Sequence, residues 1–163
     1  MIPNANKLMT FLSSKDFTFF IPPYQRNYEW DTEHCEVFLN DVINIAEMVD
    51  NGEQAEHFFG TITYFQNPTP FGVPDQVVLI DGQQRMTTTM LLLVALRDVI
   101  EDDATERFIT NRYLKNEDAV GDSEYKIKLK QVETDWKAYY SLIMKMELTD
   151  RDRNSAVYRN YQY

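Results

Sequence analysis

Apolar positions along the chain alternate between short β-like runs and longer stripes at helical spacing, a pattern that predicts an α+β protein. Its organising stretch is 76–90, QVVLIDGQQRMTTTM. Val77, Val78, Leu79 and Ile80 form a short, mostly β-branched run that reads as a buried strand. An apolar helix begins at Met86, with Thr87, Thr88 and Thr89 in its first turn, and a five-residue turn, Asp81-Gly82-Gln83-Gln84-Arg85, would join the two.

Upstream, Leu8, Phe11 and Leu12 share one face of a short helix that Asn4 or Asn6 would cap, and Phe17–Ile21 reads as a strand. Pro22-Pro23 ends that strand, because neither proline donates a ladder hydrogen bond. A polar and aromatic loop, Tyr24–Trp30, follows. Asp31 is a good N-cap for a helix to about Asp50, with Val37, Phe38, Val42, Ile43, Ala46 and Val49 on one side and Gly52 as its stop. His57–Phe65 alternates as a strand with a bulge or close approach at Gly60, and the proline-rich Gln66–Asp75 is a loop between antiparallel strands.

Beyond the central helix, which runs to about Ile100, Glu101-Asp102-Asp103 would sit badly at a helix C-terminus and fits better as the start of a helix over 104–114. A polar loop spans 117–124. Tyr125–Lys130 alternates strictly and predicts an edge strand with a solvated lysine face. A helix over 133–148 would bury Trp136, Tyr139, Tyr140, Ile143 and Met144, and Asn154–Tyr163 reads as the first turns of another.

Composition narrows the function classes. With 44% hydrophobic and 13% aromatic residues the chain can build a core. Its net charge of −10 argues against gripping nucleic acid through an overall field. The acidity is concentrated: residues 1–100 carry 5 cations and 13 acids, residues 101–163 carry 11 and 13. Between Lys15 and Arg97 the only cations are Arg26 and Arg85, each directly after a glutamine. A lone cation in an acidic segment points to a specific anionic partner, either a ligand or a structural carboxylate. The single Cys35, the lack of a signal-peptide pattern and the absence of a long apolar run predict a soluble, cytoplasmic protein with no membrane partner.

A strand–turn–helix junction points backbone N–H groups at one spot, which suits an anion. There Arg85 would fork two bonds to a phosphate, Gly82 would allow close backbone approach, and the threonine hydroxyls would donate or help hold Mg²⁺. Asp81 would hold a metal through water, and Gln83 and Gln84 would orient a water. The stretch is no Walker A loop, and a tight turn with a capped helix explains the same spacing. In the Tyr24–Trp30 loop the rings suit either a stacked base or cover for the core. His34, Cys35 and His57 lack the spacing of a metal site.

Three blocks occur in order, IPPYQRNYEW, HFFGTI and LIDGQQRMTT, followed by YKIKLKQVETDW. Together they resemble the N-terminal domain of GmrSD-type type IV restriction proteins, over essentially the whole chain. The resemblance implies a fold like the ParB and sulfiredoxin group: a small mixed β-sheet with packed helices over 1–130, then the start of a truncated helical region over 131–163. It also implies Mg²⁺-dependent binding and hydrolysis of a nucleoside triphosphate, in a regulatory domain that serves cleavage of modified or invading DNA. Asp81, Gly82, Gln83, Gln84 and Arg85 would line the phosphates, with Asp81, Gln83, Gln84 and Arg85 catalytic. Tyr24, Gln25 and Arg26 would stand opposite, and Thr87 and Thr88 would extend the cradle. Sulfiredoxin-type chemistry needs a cysteine where Gly82-Gln83 stands, so Cys35 inherits no role. No HNH-type pattern appears, so the nuclease would be a C-terminal domain and DNA a partner of the full-length protein alone. Two rivals stay open: a non-catalytic module that senses a nucleotide or contacts DNA, and a purely structural role with Arg26 and Arg85 both buried in ion pairs to Asp81 or Glu29.

Overall fold

The computed structural model describes residues 7–70, 73–116 and 125–163. Four strands, β1 (Phe17–Phe20), β2 (Thr63–Asn67), β3 (Asp75–Asp81) and β4 (Leu129–Lys130), form one mixed sheet in the order β2-β3-β1-β4. β3 pairs antiparallel with β2, while β1 pairs parallel with both β3 and β4, setting Phe19 beside Val77 and Leu129. Seven helices surround it: α1 (Leu8–Leu12), α2 (Thr32–Asp50), α3 (Gln83–Val99), α4 (Asp103–Ile109), α5 (Glu133–Met144), α6 (Asp150–Arg153) and α7 (Ala156–Gln162). A π-helical turn, Thr110–Leu114, continues α4. The α+β class agrees with the strands and helices read from the sequence, and the small mixed sheet with packed helices is what the resemblance implies.

The axis of the molecule is α3. Met86, Met90, Leu91 and Val94 are buried, and so are Gln83, Gln84, Thr87, Thr88 and Thr89. A helix buried on nearly every side has to satisfy its polar side chains internally. The same core cluster holds Phe19, Val77 and Leu79 of the sheet, Tyr139 and Ile143 of α5, and Val157 of α7.

Several expectations are corrected. The segment His57–Phe65 is not one strand: β2 starts at Thr63, and Gly60 sits at φ 98°, outside the region of regular strand. The turn between β3 and α3 is a single residue, Gly82 at φ 90° and ψ 6°; Asp81 ends the strand and Gln83 already begins the helix. In Tyr125–Lys130 only Leu129–Lys130 is strand, with a bridge from Ile127 to Lys115, though β4 does lie at the sheet edge. α5 stops at Met144, where Lys145 turns left-handed at φ 56°. On α2 only Cys35 is buried, and Val37, Val42, Ile43 and Val49 of the expected apolar side are exposed. Asn4, Asn6 and the 117–124 loop lie outside the described residues.

The lysine face of 125–130 is not solvated throughout, since Lys128 is fully buried and donates from Nζ to the Ser14 carbonyl. Burial, with Lys15 and Arg112 nearby, lowers its pKa to about 8. An unfolded lysine keeps its proton to about pH 10.4, so between those values the native state has released a proton the unfolded chain still holds. Stability therefore rises with pH through this window. Relative to Lys128→Met, the wild type should gain about 2 kcal/mol between pH 7 and pH 10, read from urea unfolding of both proteins at each pH. A pH-independent difference would remove the buried-charge assignment.

Candidate functional site

The first turn of α3 gathers the three sequence blocks. Gly82 accepts the backbone reversal there, and a Cβ would stand 3.2 Å from both Ile62 Cγ1 and the Thr61 carbonyl. Helical spacing then sends Gln83, Gln84 and Arg85 to different neighbours. Gln84 clamps the Tyr24–Trp30 loop: its Oε1 accepts from the Glu29 N–H (2.9 Å) and the Trp30 N–H (3.2 Å), and its Nε2 donates to the Asn27 carbonyl (2.9 Å). Gln83 donates to the Arg26 carbonyl at 3.4 Å, and Gln25 ties the same loop to β3 by donating to the Ile80 carbonyl at 2.9 Å.

Arg85 reaches the other way. Its guanidinium donates to the carbonyls of Phe59 (3.3 Å) and Thr61 (2.8 Å), flanking Gly60. A Cβ at Gly60 would lie 1.6 Å from Arg85 Nη1, so glycine is required for the guanidinium to seat. β3 ends at Asp81 opposite Thr63 and turns into α3, so it offers the HFFGT stretch no partner, and Arg85 takes two of that stretch's carbonyls instead. DGQQR is thus the fastener between IPPYQRNYEW and HFFGTI.

Thr87 and Thr88 are withdrawn from any phosphate cradle. Both are buried, and their hydroxyls bond back to the Gln83 and Gln84 carbonyls at 2.9 and 3.0 Å. Thr87 also accepts from Gln131 Nε2, and Thr88 shares a 2.7 Å bond with the Tyr28 hydroxyl. These contacts extend an interior polar layer that sequence reasoning missed. Asp135, near the start of α5, accepts from the Tyr28 N–H at 2.6 Å, and burial raises its carboxyl above the usual range. Asn160 of α7 donates to the Tyr28 hydroxyl and to the Trp30 carbonyl. Burial likewise pushes the Tyr28 hydroxyl up and raises the Cys35 thiol 3.6 Å away, so neither is an activated nucleophile. An acid in a first helical turn is expected for the dipole alone, so nothing in the sequence distinguished Asp135.

Three groups remain open to solvent at this junction. Tyr24 is 75% exposed, the Arg26 side chain is 64% exposed with one long ion pair to Glu29 (3.5 Å), and Asp81 is exposed 3.8 Å from Arg85. The ion pairs of the structural reading exist, but neither is buried, and surface pairs of this kind contribute little. No side chain caps α3, and the N–H groups of Gln83, Gln84 and Arg85 meet no acceptor among the described residues. Gln83 Oε1 is also buried without a partner.

Among the described residues no helix is long and apolar enough to cross a membrane. Comparison with curated proteins returns no match. The profile of one family, described as the GmrSD restriction endonuclease N-terminal domain, matches residues 8–163. All three blocks fall inside that span, and the chain accordingly belongs to the GmrSD restriction endonuclease N-terminal domain family.

Proposed function

We propose that the chain is a nucleoside-triphosphate-binding regulatory domain of a restriction protein, which takes the phosphates at the N-terminus of α3. The carrying observation is the group of unpaired N–H donors on Gln83, Gln84 and Arg85 behind a left-handed Gly82, with no side-chain cap. A helix N-terminus without acceptors favours an anion through both hydrogen bonding and the helix dipole. Arg26, whose carbonyl is held by Gln83, has an exposed guanidinium that can fork onto a phosphate. Tyr24 offers a free ring face for a base.

The donor set fits Mg²⁺ that arrives on the phosphates. Asp81 supplies one carboxylate, and no group of three His, Cys, Asp or Glu side chains converges among the described residues. Mg²⁺ is commonly held by one or two carboxylates plus phosphate oxygens. When bound, it would neutralise phosphate charge beside this acidic segment. Gln84 and Arg85, proposed as catalytic in the hydrolytic reading, have their amide and guanidinium engaged by backbone. That engagement favours a site that binds and senses the nucleotide over one that positions an attacking water. The restriction role comes with the family; a C-terminal nuclease domain and contact with DNA belong, on this reading, to the full-length protein.

Thermal unfolding with ATP, GTP, CTP or UTP and Mg²⁺ tests the reading. One of them at ~100 times its dissociation constant should stabilise the chain by about 2.7 kcal/mol, and Arg26→Ala, an exposed position, should remove most of that gain. Failure of all four to shift the wild-type transition would refute nucleotide binding. Phosphate release then separates hydrolysis from sensing.

A further inference from the structure

The C-terminal half of α2 carries an apolar stripe that the rest of the described molecule leaves uncovered. Cys35 is buried, and from the half-buried Phe38 an apolar stripe continues through Val42, Ile45, Ala46 and Val49 at helical spacing, with Val42, Ala46 and Val49 exposed. Beside the first half of the helix a groove of about 390 Å³ opens between α2 and the segment 57–59. Its walls are aromatic and preformed: Phe38 packs edge-to-face on Phe59 at 6.1 Å, and Trp30 lies 6.4 Å from Phe38. Val37, 65% exposed, lines this groove, and Phe58, 82% exposed, precedes Phe59 in the segment that forms its far wall. An apolar groove with exposed apolar residues at it and beyond it on the same helix marks an interaction surface.

The charge around the patch identifies the occupant. Glu33 and Asp41 line the groove together with His34, His57 and Arg85. The Arg85 guanidinium is engaged by the Phe59 and Thr61 carbonyls and His57 lies 3.6 Å from Asp41, while Glu36, Glu47 and Asp50 flank the stripe, so the face as a whole is acidic. A second copy of the same face would set carboxylate against carboxylate, and the phosphates of nucleic acid or anionic lipid would meet the wrong sign. We propose that this face docks an amphipathic helix of a separate partner protein, with apolar residues at i, i+3, i+4 and i+7 between flanking lysines and arginines. Such a helix seats its apolar edge in the aromatic groove and along the stripe, and its cations meet Glu33 and Asp41 at the rim. At 19 residues α2 offers a track of about 28 Å, enough for a partner helix of similar length. This proposal does not depend on the nucleotide reading: of the residues used there only Arg85 lines the groove, through its side chain, while the phosphate reading uses its backbone N–H.

The test uses the whole chain and three fluorescein-labelled synthetic helices that share leucines at those positions, flanked by Lys/Arg, by Gln or by Glu. Fluorescence anisotropy should show saturable binding of the Lys/Arg helix, at least about tenfold weaker binding of the Glu helix, and further weakening of the Lys/Arg helix by salt. The double substitution Val37→Ser/Phe58→Ser leaves the charge untouched at two exposed positions and should weaken the Lys/Arg helix about tenfold, or about 1.4 kcal/mol. Equal binding to wild type and the double variant would mean unspecific attraction to an acidic protein and would overturn the proposal. So would equal affinity for the Glu helix. Self-association of the chain that Val37→Ser/Phe58→Ser relieves, seen by sedimentation, would give the face to a second copy instead.

Discussion

Arg97→Ala is expected to cost about 4 kcal/mol of unfolding free energy, a large fraction of what holds a domain of this size together. Arg97 is 1% exposed near the end of α3. Its Nη1 donates to the Ile143 carbonyl at 2.7 Å and its Nη2 to the Leu142 carbonyl at 2.9 Å, so one guanidinium satisfies two carbonyls at the C-terminal end of α5. It also forks onto Asp98 through Nε and Nη2 at 2.8 and 3.0 Å. Alanine would leave the Ile143 carbonyl without a donor and the Leu142 carbonyl with only the 3.4 Å bond from the Lys145 N–H, remove the fork and open a cavity where a long side chain had packed. Asp98 would keep Lys145 and the Tyr161 hydroxyl, so the damage falls mainly on the α3–α5 contact. Arg97→Lys keeps the charge but not the planar fork, and should recover only part of the loss. Urea unfolding at pH 7 reads both; a cost under about 1 kcal/mol for alanine would show that the guanidinium is dispensable.

Gln84→Ala should cost about 3 kcal/mol, because three hydrogen bonds to the 27–30 backbone vanish and the Glu29 and Trp30 N–H groups lose their acceptor. The loss should be local as well as global. Amide hydrogen exchange at Glu29 and Trp30 should accelerate well before the global transition, since the loop is fastened to α3 chiefly by this side chain. Gln84→Glu keeps the acceptor for both N–H groups and gives up the donor to Asn27, so its cost should be smaller. A catalytic glutamine facing solvent would leave stability unchanged on truncation, and unchanged stability in Gln84→Ala would discard the clamp.

Much of the fold was legible in the sequence because local rules and tertiary packing agree there. Asp31 caps α2 by accepting from the His34 N–H, Asp102 caps α4 through Thr105, and the prolines bound the loops. Legibility failed where a long-range contact overrode the local pattern. HFFGTITYF alternates like a strand, yet β3 ends at Asp81 opposite Thr63 and its chain turns into α3, leaving the carbonyls on either side of Gly60 to Arg85, and no reading of that segment alone contains where its neighbour stops. YKIKLK alternates just as well, but Lys128 is pulled inward to Ser14. The three blocks were visible as blocks, and the Tyr24–Trp30 loop does lie against DGQQR; that HFFGTI joins them through Arg85 was not read from the sequence. Which polar groups stay available was not visible: Thr87, Thr88 and Gln84 look solvent-ready in sequence because polarity does not report burial. Tyr24, Arg26, Asp81 and the first N–H groups of α3 are what the fold leaves open.

The central claim, that the uncapped start of α3 receives phosphate, is tested most directly by amide chemical shifts. With ¹⁵N-labelled protein titrated with each Mg²⁺-nucleoside triphosphate, the Gln83, Gln84 and Arg85 amides should move saturably and together with Arg26, and Arg26→Ala should weaken the titration at least about tenfold. Saturable shifts elsewhere with those three amides unmoved, or no saturable shift with any of the four nucleotides, would contradict it.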